Sequence, residues 1–238
     1  MTSESFDIGG FIRVDSVNYP SLLACTIFTR GCNFRCPYCH NPGFVVGVKP
    51  DATPLNVEFY TPDEIFSYVK QRKGLLDAIV VSGGEPCMQK GLKEFLAQAK
   101  ELGLKTKLDT NGSFPQVLED LLNCQLVDYV AMDLKTSWDK YLLLGFDKVE
   151  LIKKSVKLVL EKAPDYEFRT TCVRPIVEPE DFEKMALAIE GAKRYYLQVF
   201  KNKVTLDVNY HSATSYSEEE LQKYAELVKE LVENIGVR

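Results

Sequence analysis

The chain has 238 residues, of which 45% are hydrophobic and 26% charged, and its formal net charge is −5. This composition is typical of a folded globular protein and excludes general disorder. Its cations are spread along the chain, so nothing indicates a nucleic-acid partner. No stretch reaches the ~20 apolar residues of a membrane-spanning helix, and residues 1–10 lack the pattern of a signal peptide. We therefore expect a cytoplasmic protein with no membrane or nucleic-acid partner.

The predicted strands and helices alternate along the chain. Strands are predicted at 22–28, 78–81, 105–108, 129–132, 166–171 and 195–200, the last of the chain. Helices are predicted at 61–72, 92–102, 115–123, 147–162 and 179–189, and from 217 onward. Thr61 with Glu64, and Ser217 with Glu220, have the spacing of capping boxes that begin a helix.

These six strand–helix units predict an α/β fold with parallel strands and helices outside them. Six units are too few for a closed eightfold barrel, so a partial barrel or an open doubly wound sheet fits. At roughly 150 residues per domain the length allows one large domain or two small ones. We expect a single domain over 1–238, with an N-terminal segment at 1–21, the core at 22–200, and a loop and C-terminal helix at 201–238.

Three of the seven cysteines, Cys32, Cys36 and Cys39, lie within eight residues. The chain is long and its cysteine count is odd, which does not suit a secreted disulfide scaffold. Thiolates are the ligands that iron–sulfur clusters prefer. Structural zinc is the alternative, but such sites need four ligands, and the chain has no further ligand pair at a suitable spacing. Three ligands for four irons leave one iron open, which indicates chemistry rather than a structural role.

Four polar motifs each follow a predicted strand. They are the cysteine motif, Gly83-Gly84-Glu85, Asp109-Thr110-Asn111-Gly112 and Asp133-Leu134-Lys135. Taken alone, the last three also fit ordinary turns. Because ligands bind at the carboxyl ends of parallel strands in α/β folds, we expect the four motifs to form one site.

Residues 31–42, GCNFRCPYCHNP, resemble the signature of the radical S-adenosylmethionine (SAM) enzymes and, within them, of the glycyl-radical activating enzymes. The resemblance covers nearly the whole chain, from Gly9-Gly10 through the last predicted strand. It implies a partial (β/α)6 TIM-like barrel of radical SAM type. It also implies one 4Fe-4S cluster on Cys32, Cys36 and Cys39, whose open iron chelates the amino and carboxylate groups of SAM.

The resemblance assigns the other motifs to SAM. Tyr38 would lie against the adenine, the glycine-glycine-glutamate motif would hold the amino group, and Lys135 with Arg169 would meet the carboxylate. Asp109, Thr110 and Asp133 would also bind a monovalent cation beside SAM. The expected SAM-binding residues are Tyr38, Gly83, Gly84, Glu85, Asp109, Thr110, Asn111, Asp133, Lys135 and Arg169. Some relatives carry a SAM-contacting histidine where this chain has Gln198-Val199-Phe200, so that contact is expected to be altered or absent.

The remaining cysteines have modest expectations. Cys25, Cys124 and Cys172 should be buried small hydrophobic residues, and Cys87 should be too, although it could line the site. Some activating enzymes carry additional clusters after the first motif, but no cysteine lies between residues 43 and 81 here. A single cluster is therefore expected.

The resemblance implies that reductive cleavage of SAM yields a 5′-deoxyadenosyl radical, which removes a hydrogen atom from a glycine of a partner enzyme. The anaerobic ribonucleoside-triphosphate reductase is the preferred partner over pyruvate formate-lyase, and a low-potential donor such as flavodoxin or ferredoxin would supply electrons. Two alternatives stay open. One is a radical SAM enzyme acting on a small molecule, such as 7-carboxy-7-deazaguanine synthase, and the other is a non-catalytic iron–sulfur or zinc protein.

Overall fold

The structure is a computed structural model that describes residues 6–45 and 58–238. Within these residues, eight strands form one sheet in which they follow one another in chain order. The strands are β1 (Ile8–Asp15), β2 (Ala24–Thr29), β3 (Ala78–Gly83), β4 (Lys105–Thr110), β5 (Tyr129–Asp133), β6 (Tyr166–Cys172), β7 (Tyr195–Val199) and β8 (Ile235–Val237).

Each strand from β2 to β7 is followed by a helix. The helices are α1 (Pro62–Gln71), α2 (Leu92–Glu101), α3 (Pro115–Asn123), α4 (Val149–Lys162), α5 (Pro179–Ala188) and α6 (Glu218–Val228). The capping boxes predicted at the starts of α1 and α6 are both formed. All strand pairs from β2 to β8 are parallel. The predicted partial (β/α)6 barrel is therefore confirmed.

The ends of the sheet differ from the prediction. β1 pairs antiparallel with β2, so not every strand is parallel, and the predicted segment 1–21 contains a strand. The connection from β1 to β2 is too short for the crossover that a parallel pair needs. Residues 195–200 are not the last strand, because β8 follows α6 and pairs with β7. Residues 201–238 thus hold a strand as well as the predicted loop and helix.

Two apolar cores lie on opposite faces of the sheet. Outside, the helices pack along apolar stripes, as in α2, where Leu92, Phe95, Leu96 and Ala99 are buried at helical spacing. Inside the barrel, a smaller cluster lies near the amino ends of the strands and consists of Tyr19, Ala24, Ala78, Val80, Tyr129 and Ala131. Among the described residues, no helix combines the length and apolar character needed to cross a membrane.

The scattered cysteines are partly as predicted. Cys25, Cys87 and Cys172 are buried, but Cys124 is exposed. Cys124 directly follows the last residue of α3, and a helix terminus can face solvent even when its neighbours Leu121 and Leu122 are buried. The prediction that Cys124 is buried was therefore wrong.

The parallel register brings the ends of the strands to one edge of the sheet. Thr29 is opposite Gly83, Thr110 is opposite Met132, and Asp133 is opposite Arg169. The loops that carry the polar motifs therefore emerge side by side.

Candidate active site

A cavity of about 410 Å³ opens at the carboxyl ends of the strands. Every predicted site residue except Glu85 lines it. These residues come from the cysteine loop and from four neighbouring strands that lie far apart in the sequence. The prediction that the motifs lie together is confirmed.

The cysteine loop is held against the segment that follows β5. The backbone N–H of Arg35 donates to the carbonyl of Leu144 at 2.7 Å, and the ring of Phe34 packs on Phe146 with 4.6 Å between centroids. Between these anchors, Cys32, Cys36 and Cys39 are free thiols that line the cavity. In the described parts of the chain, no three His, Cys, Asp or Glu side chains converge as the ligands of a single metal ion do.

Burial governs the ionisation of these thiols. It raises the pKa of Cys36 to about 12 and that of Cys32 to about 11. Lys135 acts in the opposite direction on both thiols. Since thiolates are the ligand form, a bound metal would have to displace the proton from each thiol.

Gly83 and Gly84 let β3 pass very close to β2 and to the start of the cysteine loop. Gly83 has a positive φ of 113°, and a Cβ there would lie 2.3 Å from the backbone nitrogen of Thr29. A Cβ on Gly84 would lie 2.0 Å from the carbonyl oxygen of Gly31. The close approach is fixed by a hydrogen bond from the Glu85 N–H to that Gly31 carbonyl, at 2.8 Å.

Glu85 does not line the cavity. Its side chain is fully buried beneath the loops and accepts from the Thr110 hydroxyl at 2.8 Å, the Asn111 N–H at 2.7 Å and the Cys87 N–H at 3.0 Å. The expected contact between this carboxylate and a ligand amino group does not match this geometry. Glu85 instead ties the loop after β3 to the loop after β4. The sequence shows where the motif lies but not the direction in which the Glu85 side chain points.

Opposite charges meet across the mouth of the barrel. Arg169 donates to Asp133 at 3.0 Å and to Asp109 at 3.2 Å, while Lys135 donates to Asp133 at 2.9 Å. Burial opposes the charge of Asp133, yet Arg169 and Lys135 hold its pKa below the usual range. Burial likewise opposes the charge of Lys135, but Asp133 keeps its pKa well above the usual value. Asp133, Lys135 and Arg169 are therefore charged at neutral pH.

Two polar atoms at the cavity have no hydrogen-bond partner among the described residues. They are the hydroxyl of Tyr38, a residue that is almost fully buried, and Oδ1 of Asp109. The ring of Tyr38 packs edge-on against Phe200 with 6.3 Å between centroids. Because buried polar groups are rarely left unpaired, the Tyr38 hydroxyl indicates a place where a polar ligand group belongs, whereas Asp109 Oδ1 already faces Lys107 Nζ at 3.6 Å.

Sequence reasoning missed some lining residues. Thr171 and Gln198 face the cavity from adjacent strands, opposite one another in the β6–β7 register. The alternation along β6 could have placed Thr171 beside Arg169, two residues earlier. Gln198 places a polar amide in the stretch where some relatives carry a histidine and this chain does not. Asn18 also lines the cavity, and no sequence signal pointed to it.

The barrel interior below the cavity holds charges that sequence reasoning also missed. Lys107 is almost fully buried, and its Nζ lies 3.6 Å from Asp109 Oδ1 and 4.0 Å from Glu167 Oε1. Glu167 is buried as well and accepts from the Tyr129 hydroxyl at 3.0 Å. Lys107 therefore forms an ion pair with Asp109 on the interior side of the cavity.

Comparison with known proteins gives the family. Residues 26–190 match the family model of the Radical SAM superfamily. The chain is thus a member of the radical SAM superfamily of enzymes.

Curated relatives indicate the group within the superfamily to which the chain belongs. A protein of Methanocaldococcus jannaschii that is named as a glycyl-radical enzyme activating enzyme is 33% identical over 238 residues, covering 97% of this chain and 95% of that protein. The pyruvate formate-lyase-activating enzyme of Staphylococcus aureus is 32% identical over 156 residues, covering 60% of this chain and 59% of that enzyme. Within the superfamily the chain belongs with the glycyl-radical enzyme activating enzymes.

Solved structures share the fold. The structure of Streptococcus suis SuiB bound to S-adenosylmethionine has a TM-score of 0.64 at 16% identity, over 87% of this chain and 48% of that chain. A domain of the pyruvate-formate lyase-activating enzyme from Bacteroides vulgatus has a TM-score of 0.53 at 17% identity, over 67% of this chain and 98% of that chain.

Proposed function

We propose that this chain generates a glycyl radical on a partner enzyme, and that the partner is the anaerobic ribonucleoside-triphosphate reductase. The observation that carries the proposal is one cavity lined by three free thiols and by two partly buried carboxylates paired with a lysine and an arginine. The choice of partner is supported by the resemblance of residues 31–42 and of the motifs at Asp109 and Asp133 to activating enzymes. Pyruvate formate-lyase is the next candidate partner.

The residues fit the cofactors that the superfamily uses, a 4Fe-4S cluster and SAM. Cys32, Cys36 and Cys39 would hold the cluster. Each thiolate of such a cluster binds a different iron, so the sulfurs need not converge on one point as ligands of zinc do. When bound and reduced, the cluster supplies the electron that cleaves SAM to methionine and a 5′-deoxyadenosyl radical.

The charges around the cavity suit the amino-acid part of SAM. Lys135 and Arg169 would attract its carboxylate, and Asp133 would accept from its ammonium group. The carbonyl groups near Gly83 and Gly84 can approach the same ammonium, because neither glycine has a side chain that would keep the ligand away. Glu85 acts indirectly, by holding the loops after β3 and β4 together.

Tyr38 would lie against the adenine. Its ring is fixed in the wall of the cavity, and its unpaired hydroxyl offers a polar contact. Phe200 packs against Tyr38 and His40 of the cysteine loop, so the loop is partly covered by apolar surface. The chain's contribution is therefore to orient the ligand and exclude solvent, and no general acid or base is required.

A monovalent cation beside SAM is part of the proposal. Asp109 and Asp133 would supply carboxylate oxygens, and Thr110 would supply its hydroxyl oxygen. Support comes from the position of these three side chains, which line the same cavity; Lys107 Nζ already lies 3.6 Å from Oδ1 of Asp109. Arg169 already bridges the two carboxylates, so the cation would share them with a guanidinium. SAM binding should then tighten in potassium or sodium salts relative to a large organic cation.

The test is activation of the partner under anaerobic conditions. The reconstituted protein would be reduced, for example by flavodoxin or ferredoxin as the proposed donors, and mixed with SAM and the anaerobic reductase. The account predicts a glycyl-radical doublet in the electron paramagnetic resonance (EPR) spectrum. Cys36→Ala should abolish it, while Cys124→Ala, which removes an exposed thiol remote from the cavity lining, should leave it unchanged.

The other results would be equally informative. A doublet on pyruvate formate-lyase but not on the reductase would move the function to that partner. Cleavage of SAM without a doublet on either enzyme would favour the small-molecule alternative. No cleavage of SAM by a protein with an intact cluster would contradict the activase proposal altogether.

A further inference from the structure

Two asparagines and a serine link the cysteine loop to the loop that follows β4. Asn33 lies next to Cys32 in the sequence, while Asn111 and Ser113 follow β4. The Asn33 amide donates to the Ser113 hydroxyl at 2.9 Å, and the Asn111 amide donates to Asn33 Oδ1 at 3.1 Å. We call these three residues the amide triad. All three side chains take part in these hydrogen bonds, so the triad joins the two loops rigidly.

The orientation of the Asn111 amide is determined by its surroundings. The backbone N–H of Ser113 points at one end of this amide, at 2.9 Å. Because a backbone N–H can only donate, that end must be the oxygen Oδ1. The NH₂ group therefore faces the other way, and it carries two hydrogens. One is used by Asn33 Oδ1, and Cys32 Sγ lies 3.9 Å from the same nitrogen.

We propose that the Asn111 amide donates a hydrogen bond to the Cys32 thiolate and thereby raises the reduction potential of the bound cluster. This inference rests on the proposed ligation of the cluster by Cys32. A hydrogen bond to a ligand sulfur stabilises negative charge, and the reduced cluster carries one more negative charge than the oxidised one. The reduced state is therefore stabilised more than the oxidised state.

Asn111 is the part of this arrangement that a substitution can test. The backbone N–H of Phe34 also donates to Cys32 Sγ, at 3.4 Å, but any residue at position 34 other than proline would keep that bond. The Asn111 side chain is nearly fully buried, so water does not readily replace its amide. Its role would be to tune the cluster, in addition to or instead of the SAM contact expected from the sequence.

The experiment is a redox titration of the reconstituted protein, followed by the EPR signal of the reduced cluster. Asn111→Leu removes the donor at similar volume, and Asn111→Asp replaces it with a negatively charged acceptor. The midpoint potential should fall in Asn111→Leu and fall further in Asn111→Asp. Ser113→Ala is the matched control, because it removes the hydroxyl that donates to Asn111 Oδ1 but keeps the backbone N–H on the same oxygen, and its midpoint should stay at the value of the unchanged protein.

Two results would overturn the inference. An unchanged midpoint in Asn111→Leu would show that the amide does not act on the cluster. Equal shifts in Asn111→Leu and Ser113→Ala would show that the triad acts only by holding the loop.

A second measurement keeps the inference testable if the variants at position 111 lose the cluster. Pulsed EPR on the unchanged protein, with asparagine labelled with ¹⁵N at the side-chain amide only, should show a weak nitrogen coupling to the reduced cluster, and its absence would overturn the inference. Failure of the underlying proposal is distinguishable. A protein that binds no cluster overturns both, whereas a SAM-responsive cluster that shows no asparagine coupling overturns this inference alone.

Discussion

At the scale of single residues, the glycine that follows β3 makes a sharp test. Gly84→Ala would place a Cβ 2.0 Å from the Gly31 carbonyl oxygen, so the start of the cysteine loop would have to move. We expect a loss of about 3 kcal/mol in the free energy of unfolding, measured by urea denaturation, together with a loss of cluster binding. The control is Gly74→Ala, which has a positive φ that Gly84 lacks but has nothing within 4 Å of its Cβ. It should cost only about 1 kcal/mol and leave cluster binding unchanged, and equal effects of the two changes would contradict the close-approach argument.

The buried lysine in the barrel makes a second residue-scale prediction. Lys107→Met keeps the apolar stem but removes one of the two cations near each carboxylate, leaving Asp109 with Arg169 and Glu167 with Arg238, so we expect a loss of about 1–3 kcal/mol in unfolding free energy. Lys105→Met on the same strand is the control, because the Lys105 side chain is 60% exposed and its surface ion pair should contribute about 0.5 kcal/mol. Urea denaturation of both variants measures the difference. A Lys107 variant no less stable than the Lys105 variant would show that Arg169 and Arg238 are sufficient partners for the two carboxylates.

The same residues show where sequence reasoning stopped. The sequence could predict that the cysteine motif and the polar motifs form one site, because ligand chemistry restricts which residue types bind a cofactor and at what spacing. The burial of Lys107 and the inward turn of Glu85 could not, since charged residues are normally exposed. Their positions depend on which partners the tertiary fold brings within reach.

At the scale of elements, Asp128 fastens the ends of two strands. It precedes β5 and accepts from Lys100 at 2.7 Å, from Lys105 at 3.0 Å and from the backbone N–H of Thr106 in β4 at 2.8 Å. Burial opposes its charge, but these donors hold its pKa below the ordinary value of 3.8. A carboxyl whose pKa is lower in the folded state stabilises the fold above its unfolded pKa, and this contribution is lost as the pH falls through the folded value.

Asp128→Asn should therefore lower the free energy of unfolding by about 1–2 kcal/mol at neutral pH. The deficit should shrink as the pH falls from about 5 towards 2, which urea denaturation across that range would measure. Asp147→Asn, at an exposed position, serves as the control and should follow the unchanged protein. A deficit that stays constant with pH would mean that Asp128 acts through shape rather than charge.

The elements themselves were predictable to different degrees. The helices α1 and α6 begin where their capping boxes predicted, because the signal is local and lies in the side chains at the helix start. β8 could not be predicted, since three residues carry no usable periodicity and the strand forms only because β7 offers a free edge. β1 was missed for a related reason: its pairing with β2 depends on the edge of a sheet that the sequence does not display.

At the scale of the whole molecule, the parallel strands of one sheet bring four motifs to the same edge. The sequence order of the strands is also their spatial order, so the cysteine loop after β2 and the charged groups of β4, β5 and β6 surround a single cavity. Family membership and the convergence of the motifs are independent observations, and both support radical SAM chemistry at this cavity.

The most direct test of that conclusion is the EPR spectrum of the reduced, reconstituted protein recorded with and without SAM. The account predicts a cluster signal that changes when SAM is added, because SAM binds the open iron within the same cavity, and no such signal in Cys36→Ala. A cluster signal that is indifferent to SAM would contradict the account and favour a non-catalytic iron–sulfur protein.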